Sequence, residues 1–450
     1  MAAVSTSIFE RMSALARETG AINLGQGFPD LPEPADLLDA ARCALVERSN
    51  QYPPMRGLPE LRRAVCDYYR REQGLVLVPD QVIVTAGATE ALAAAVHAMI
   101  APGDEAIVLQ PFYDAYLPMI ERAGGVVRTV GLEPPVWSLP LDRLEAAIGP
   151  RTRLLVLNTP NNPTGTLLGE ATLEALAVLC ERHDLAVLSD EVWEGMVYGE
   201  ARHLSVLGVP ALAARAIKVG SAGKIFSLTG WKVGWAIAQP EMAERIAGQH
   251  QYLTFTIAPA LQWAVAEGLA LPAEWHAVHR ARYAAARERL VHRLTTAGYV
   301  LLPAHGTWFV TVDLAASGLP PDDEAIADAL VREAGVASIP VSAFYRDAPE
   351  KGYLRLCFAK EDATLDEAAE RLAGFRMRRE AAGRSKKSCC LLPAASILAP
   401  RHHPIHASLR HRMIPRPRLR VDSAGDGLPP VALLHQRLEQ GQHELAPPNF

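Results

Sequence analysis

The chain has 450 residues, 49% of them hydrophobic and 21% charged, which is enough apolar material for a large core and excludes a wholly disordered polymer. A formal net charge of -5 at pH 7 supplies no basic field, so nucleic acid and anionic membrane are poor main partners and small molecules are better ones. Cys43, Cys66, Cys180, Cys357, Cys389 and Cys390 lack the paired spacing of a zinc site, and the reading is of no metal and a reducing, cytoplasmic compartment. Met1 to Gly20 has no apolar run after a basic start, so export is not expected, and no run elsewhere is long and apolar enough to predict a membrane span.

From about Leu75, short β-rich apolar runs alternate with Ala- and Leu-rich helical patterns, which predicts an α/β fold around a mostly parallel sheet. Strands are expected at Val82–Thr85, Ala106–Leu109, Val126–Val130, Leu154–Asn158, Ala186–Ser189, Ala216–Val219 and Trp235–Ala238. Helices are expected at Ala88–Ile100, Tyr116–Arg122, Gly169–His183 and Pro240–Ala247. A long helix over Trp275–Thr296 introduces a smaller α+β part, with strands at Trp308–Val312, Val336–Ile339 and Tyr353–Phe358 and helices at Asp323–Glu333 and Thr364–Arg379. Beyond that point Arg, His and Pro accumulate and periodicity is lost, so the tail is expected to hold no stable core; a basic interaction arm is the less favoured reading.

The chemistry gathers at the ends of the predicted strands. Ser221-Ala222-Gly223-Lys224 follows one of them and precedes Gly230-Trp231-Lys232, placing two lysines and a hydroxyl around a glycine-permitted turn. That set suits a phosphorylated aldehyde: Lys224 forms a Schiff base once burial has made its amine neutral, while Ser221 and Lys232 hold the phosphate. A nucleotide P-loop fails here, because Gly220 to Gly223 is too short and Ile225 follows the lysine. The Ser-x-x-Lys of penicillin-binding acyltransferases is a weak rival without its Ser-Asp-Asn and Lys-Thr-Gly companions.

Asp190 ends another strand, where it either pairs with a pyridine nitrogen or caps a helix. Asn158-Thr-Pro-Asn-Asn162-Pro-Thr-Gly165 is a Pro/Gly-fixed turn that presents the Asn162 amide toward a ring oxygen. Gly87-Ala88-Thr89-Glu90 opens a helix whose N–H groups face any bound anion, although Thr89 also suits a plain N-cap. Tyr113 either covers a cofactor ring or packs in the core. Arg355 stands among apolar strand residues and needs a partner, either a substrate carboxylate or a structural carboxylate.

Together with Asn23-Leu-Gly-Gln-Gly-Phe-Pro-Asp30, Asn50-Gln-Tyr52 and Ile339-Pro-Val-Ser-Ala-Phe-Tyr345, these segments resemble the class I/II aminotransferases of the fold-type-I pyridoxal phosphate enzymes, from about Ile8 to Arg376. The likeness is greatest to kynurenine/glutamine and methionine aminotransferases. It implies pyridoxal 5′-phosphate as cofactor, with Lys224 as anchor and general base, Asp190 on the ring nitrogen, Asn162 on the ring oxygen, and Arg355 and Gly25 at the substrate α-carboxylate. It also implies a homodimer in which Tyr52 reaches the partner's phosphate. Trp193 departs from the pattern, standing where the family usually has a tyrosine that donates to the ring oxygen.

The resemblance divides the chain into an N-terminal arm with part of the small domain (1–45), a large cofactor-binding domain (46–279), a small C-terminal α+β domain (280–379) and the basic tail (380–450). Ile8, Phe9, Phe28, Phe255, Trp308, Phe344 and Tyr345 are its side-chain pocket candidates, which favour apolar, thioether or aromatic amino acids such as methionine, glutamine, phenylalanine or kynurenine. β-Elimination from cysteine conjugates on the same site, and a catalytically idle cofactor-binding regulator, are the alternatives.

Overall fold

The computed structural model of the chain describes residues 8–389. Its centre is a seven-stranded sheet in the order Val82–Ala86, Val233–Ile237, Ala216–Ser221, Ala186–Asp190, Thr152–Asn158, Glu105–Gln110 and Val126–Gly131. All seven are the strands expected from the sequence, and only Val233–Ile237 runs antiparallel to its neighbours. Strands such as Ala186–Asp190 and Ala216–Ser221 are buried along their whole length, because helices cover both faces, and their runs are therefore continuously apolar rather than alternating. Full burial of each Val, Leu or Ile contributes about 1.5–3 kcal/mol, so the sheet is a rigid base for whatever projects from its ends.

A second sheet is antiparallel, ordered Ile339–Pro340, Tyr353–Cys357, Phe309–Asp313 and Val300–Leu301, with Ile339 and Thr311 both in register with Arg355. The strand expected over Val336–Ile339 divides at Ser338: Val336–Ala337 pairs in parallel with Ile22–Asn23, and Ile339–Pro340 joins the four-stranded sheet. One short run thus serves two sheets, which its apolar pattern alone does not reveal. The long helix Ala273–Thr296 packs against the last helix, Asp362–Cys389. That last helix was expected to end at Arg379; it continues because Glu380-Ala-Ala and the following Arg and Lys residues are good helix formers. The remainder of the tail lies outside the described residues.

Helices at Ile8–Thr19, Ala35–Glu47 and Pro59–Gln73 precede the alternation on which the sequence reading rests and were not anticipated. No helix among the described residues is long and apolar enough to cross a membrane.

Candidate active site

Three parallel strands end side by side, with Asn158 in register with Asp190 and Asp190 with Val219, so Asn158, Asp190 and the Ser221–Lys224 turn emerge at one carboxyl edge. The helix Gly87–Met99 begins at the same edge, since Ala86 pairs with Val233 and Ser221 with Gly234. A cavity of about 260 Å³ opens there, and its lining includes Ala88, Thr89, Tyr113, Asn162, Asp190, Trp193, Ser221, Lys224 and Lys232, which were singled out from the sequence, together with Leu92, Tyr116, Val192 and Thr229, which were not. A second cavity, of about 410 Å³, shares Tyr113, Asn162, Trp193 and Lys224 with the first and adds Phe9, Glu10, Gln26, Asp114, Phe309 and Arg355.

One end of the first cavity is an anion cradle. Gly234 must lack a side chain, because a Cβ there would lie 2.6 Å from the Ala88 amide nitrogen, and Gly87 takes a left-handed φ of 73°. Lys232 also has a positive φ, 52°, and its ammonium reaches over Gly87, where an added Cβ would sit 3.4 Å from Nζ. Helix-start N–H groups, the hydroxyls of Thr89 and Ser221 and one ammonium thus converge where a phosphate would bind. Glu90 fixes this helix start: its carboxylate accepts from the Ala86 N–H, from Thr254 Oγ1 at 2.7 Å and from His250 at 2.6 Å, while the other His250 nitrogen meets the Met55 carbonyl at 2.9 Å.

At the other end, Asp190 is buried, which pushes its carboxyl up to about 6. Tyr116 donates to Asp190 Oδ2 at 2.7 Å and, with the Val192 N–H and Lys224, opposes that rise. Tyr116 was not anticipated, since nothing local links it to a residue 74 positions away. Its ring packs edge-on against Tyr113 at 5.7 Å, and Tyr113 in turn faces Thr89.

Between the two ends, burial lowers the Lys224 ammonium from 10.5 to about 8, so a substantial fraction of the amine is neutral near physiological pH. Its Nζ lies 4.6 Å from the Trp193 ring centroid and 5.1 Å from that of Trp308, and the two indoles meet edge-to-face at 4.9 Å. Trp193 therefore presents an indole ring to the lysine as well as standing beside the cofactor cavity.

In the second cavity Arg355, 1% exposed, donates to Asn162 Oδ1 at 2.7 Å and to the Gly25 carbonyl, and its guanidinium carbon lies 3.9 Å from the Phe309 ring centroid. The Asn162 amide oxygen is thereby committed, which leaves its NH₂ group to donate. Among the described residues Arg355 forms no ion pair, and its buried Nε has no partner. Burial lowers its affinity for a proton, and a charge in that state calls for an incoming carboxylate.

The structure disperses other expected residues. Tyr52 is 84% exposed, stacks edge-on with Phe255 at 5.9 Å, and lines neither cavity. Of the pocket candidates, Phe9 lines the second cavity, while Trp308 and Phe344 pack behind it against Lys224 and Arg355. Ile8, Phe28, Phe255 and Tyr345 line neither, and Phe309, passed over as an ordinary strand residue, does. Gly25 contributes its carbonyl to Arg355 rather than a lining surface.

Directly beneath the site is a buried charge network that sequence reading missed. Lys218 is enclosed by Glu191 and Glu194, with Tyr69 and Gln73 donating to Glu194 and Ser189, the Val206 N–H and His203 on Glu191. Burial alone would raise the Glu191 carboxyl, but the charges of Lys218 and His203 hold it well below the usual carboxylate range. Glu191, Glu194 and His203 have metal-ligand chemistry, with atoms within 4.8 Å of one another, but the ammonium of Lys218 already sits on both carboxylates.

Residues 19–372 match the model of the family "Aminotransferase class I and II". The chain belongs to this family. It is 41% identical over 381 residues to a probable N-succinyldiaminopimelate aminotransferase of Mycobacterium tuberculosis, covering 82% of this chain and 96% of the relative. It is 33% identical to human kynurenine–oxoglutarate transaminase 1, with 81% and 94% covered. Among solved structures, an Escherichia coli protein identified as a methionine aminotransferase superposes with a TM-score of 0.80 at 40% identity, covering 83% of this chain and 98% of that one. The chain is accordingly an aminotransferase of the fold-type-I architecture and uses pyridoxal 5′-phosphate. The cavity fits that cofactor on its own chemistry: an anion cradle, a buried carboxylate, and a depressed amine between them.

Proposed function

We propose that this enzyme moves the amino group of an apolar, thioether or aromatic amino acid to a 2-oxo acid in two alternating half-reactions, with ping-pong kinetics, as a cytoplasmic homodimer. The observation that carries this reading is that Lys224 lines both cavities, so one amine serves the cofactor cradle and the chamber that holds the unsatisfied Arg355. Bound pyridoxal phosphate supplies an aldehyde for the lysine amine and an electron sink for the pair released when a substrate α-proton departs.

The protein residues supply the rest. Ala88, Thr89, Ser221 and Lys232 would hold the phosphate, Asp190 would keep a proton on the ring nitrogen, and the Asn162 amide would donate to the ring oxygen, with Trp193 and Tyr113 lining the same cavity. Arg355, braced by the Gly25 carbonyl, takes the substrate α-carboxylate, a bidentate bond worth about 1.5–3 kcal/mol that orients every substrate alike. Lys224 would then take the α-proton on Nζ and return it two bonds away, to the carbon on the other side of the amino nitrogen. Phe9 and Phe309 give the side-chain end an apolar wall, consistent with relatives named for methionine and kynurenine. Tyr52, Tyr252 and Phe255 are exposed aromatics outside the cavities, which supports a partner subunit covering them and receiving Tyr52.

Borohydride reduction of the purified enzyme followed by peptide mapping tests the assignment. The cofactor should be fixed to position 224, and label at any other lysine, or none, overturns it.

A further inference from the structure

We propose that Asp114 is a specificity-determining residue that turns away amino acids and oxo acids bearing a second carboxylate, so that the preferred side chain is neutral or a hydrogen-bond donor. This rests on the reading of Arg355 as the α-carboxylate site and sharpens it.

The lysine, arginine and carboxylate residues lining the second cavity are Lys224, Arg355, Glu10 and Asp114. With Lys224 committed to the cofactor and Arg355 to the α-carboxylate, what remains around the side-chain end is negative. Glu10 sits at an exposed rim and is bonded to Arg17 at 2.7 Å, so its charge is shared with a cation and with water. Asp114 is different. It is half-buried, on the turn that carries Tyr113, and no cation pairs with it among the described residues. Asp114 and Arg355 line the same cavity, where burial raises the Asp114 carboxyl and the charge of Arg355 opposes that rise. It does not form an ion pair with Arg355, whose bonds go instead to Asn162 and Gly25.

A substrate carboxylate placed on Arg355 is stabilised there, whereas a second carboxylate farther along the side chain meets a like charge and, among the described residues lining the cavity, no further cation. An amide N–H or ring N–H meets an acceptor instead, and a thioether or phenyl group meets Phe9 and Phe309. Glutamine and glutamate have nearly the same shape, so their ratio isolates the charge.

The holoenzyme should be mixed with glutamine or glutamate and the first half-reaction followed by the change in cofactor absorbance. In parallel, calorimetry measures binding of the unreactive analogues glutaramate and glutarate. The wild type should favour glutamine and glutaramate by at least tenfold. Asp114→Asn should shrink both ratios at least threefold, mainly by improving the dicarboxylates, and Asp114→Glu should keep the rejection. Equal handling of the pair by the wild type, or ratios that Asp114→Asn leaves unmoved, overturns the proposal. Should neither amino acid react, the aminotransferase substrate reading is what fails, and the two analogues still decide the role of Asp114.

Discussion

The two cavities that meet at Lys224 are built by different means. The cofactor cavity is made of short turns, each following directly on a strand of one sheet, so hydrogen-bond register places Asn158, Asp190 and the Ser221–Lys224 turn relative to one another. The substrate cavity joins segments remote in sequence, with Arg355 bonding to Gly25 across 330 positions and to Asn162 across 193. Geometry dictated by register tolerates little variation, whereas geometry dictated by packing of loops and a second sheet can be retuned residue by residue. On the proposed assignment, chemistry belongs to the first cavity and selection to the second.

The sharpest way to break that division is at the shared residue. Lys224→Ala should lower turnover at least a thousandfold with unchanged far-UV circular dichroism, because both the anchor and the proton carrier are lost; appreciable steady-state transamination by the variant would refute it. Arg355→Gln should lower kcat/KM by roughly 10–100-fold, mostly through KM, since about 1.5–3 kcal/mol of ground-state and transition-state binding is lost together. A loss confined to kcat would move Arg355 into the chemistry and erase the contrast.

The smallest effect concerns pH. Uptake of pyridoxal phosphate by the cofactor-free enzyme needs the neutral amine of Lys224, so its rate should rise about tenfold per pH unit below about 8 and level off above it. Indole rings near Nζ favour the ammonium, and phenylalanine does so less, so Trp193→Phe should move that midpoint downward by less than one pH unit. A midpoint that climbs would mean Trp193 acts through something other than its ring face.

Most of the cofactor cavity was legible in the sequence because each residue stands next to a strand end, where a turn signal and an apolar run locate it together. Asp190, Asn162 and Lys224 are of this kind. The residues that support them were not legible, for reasons of distance and pattern. Tyr116 acts on Asp190 from the start of the helix Tyr116–Arg122, Lys218 sits in a strand where one lysine reads as a solvent-facing position, and Phe309 reads as one more apolar strand residue. Asp114 lay inside a segment read for its tyrosine, and its meaning depends on Arg355, which the chain brings near only in three dimensions. The helices before Leu75 lacked the strand–helix alternation that betrayed the central sheet.

The Lys218, Glu191 and Glu194 cluster also constrains how the protein can change over generations. Replacing the lysine alone strands two anions out of water, and replacing either glutamate alone leaves a buried cation half-matched, each costing about 3–5 kcal/mol when a buried pair is broken. These positions are expected to drift as a set, through concerted or compensated steps. Asp190, on the residue before Glu191, inherits a neighbourhood that single mutations seldom disturb.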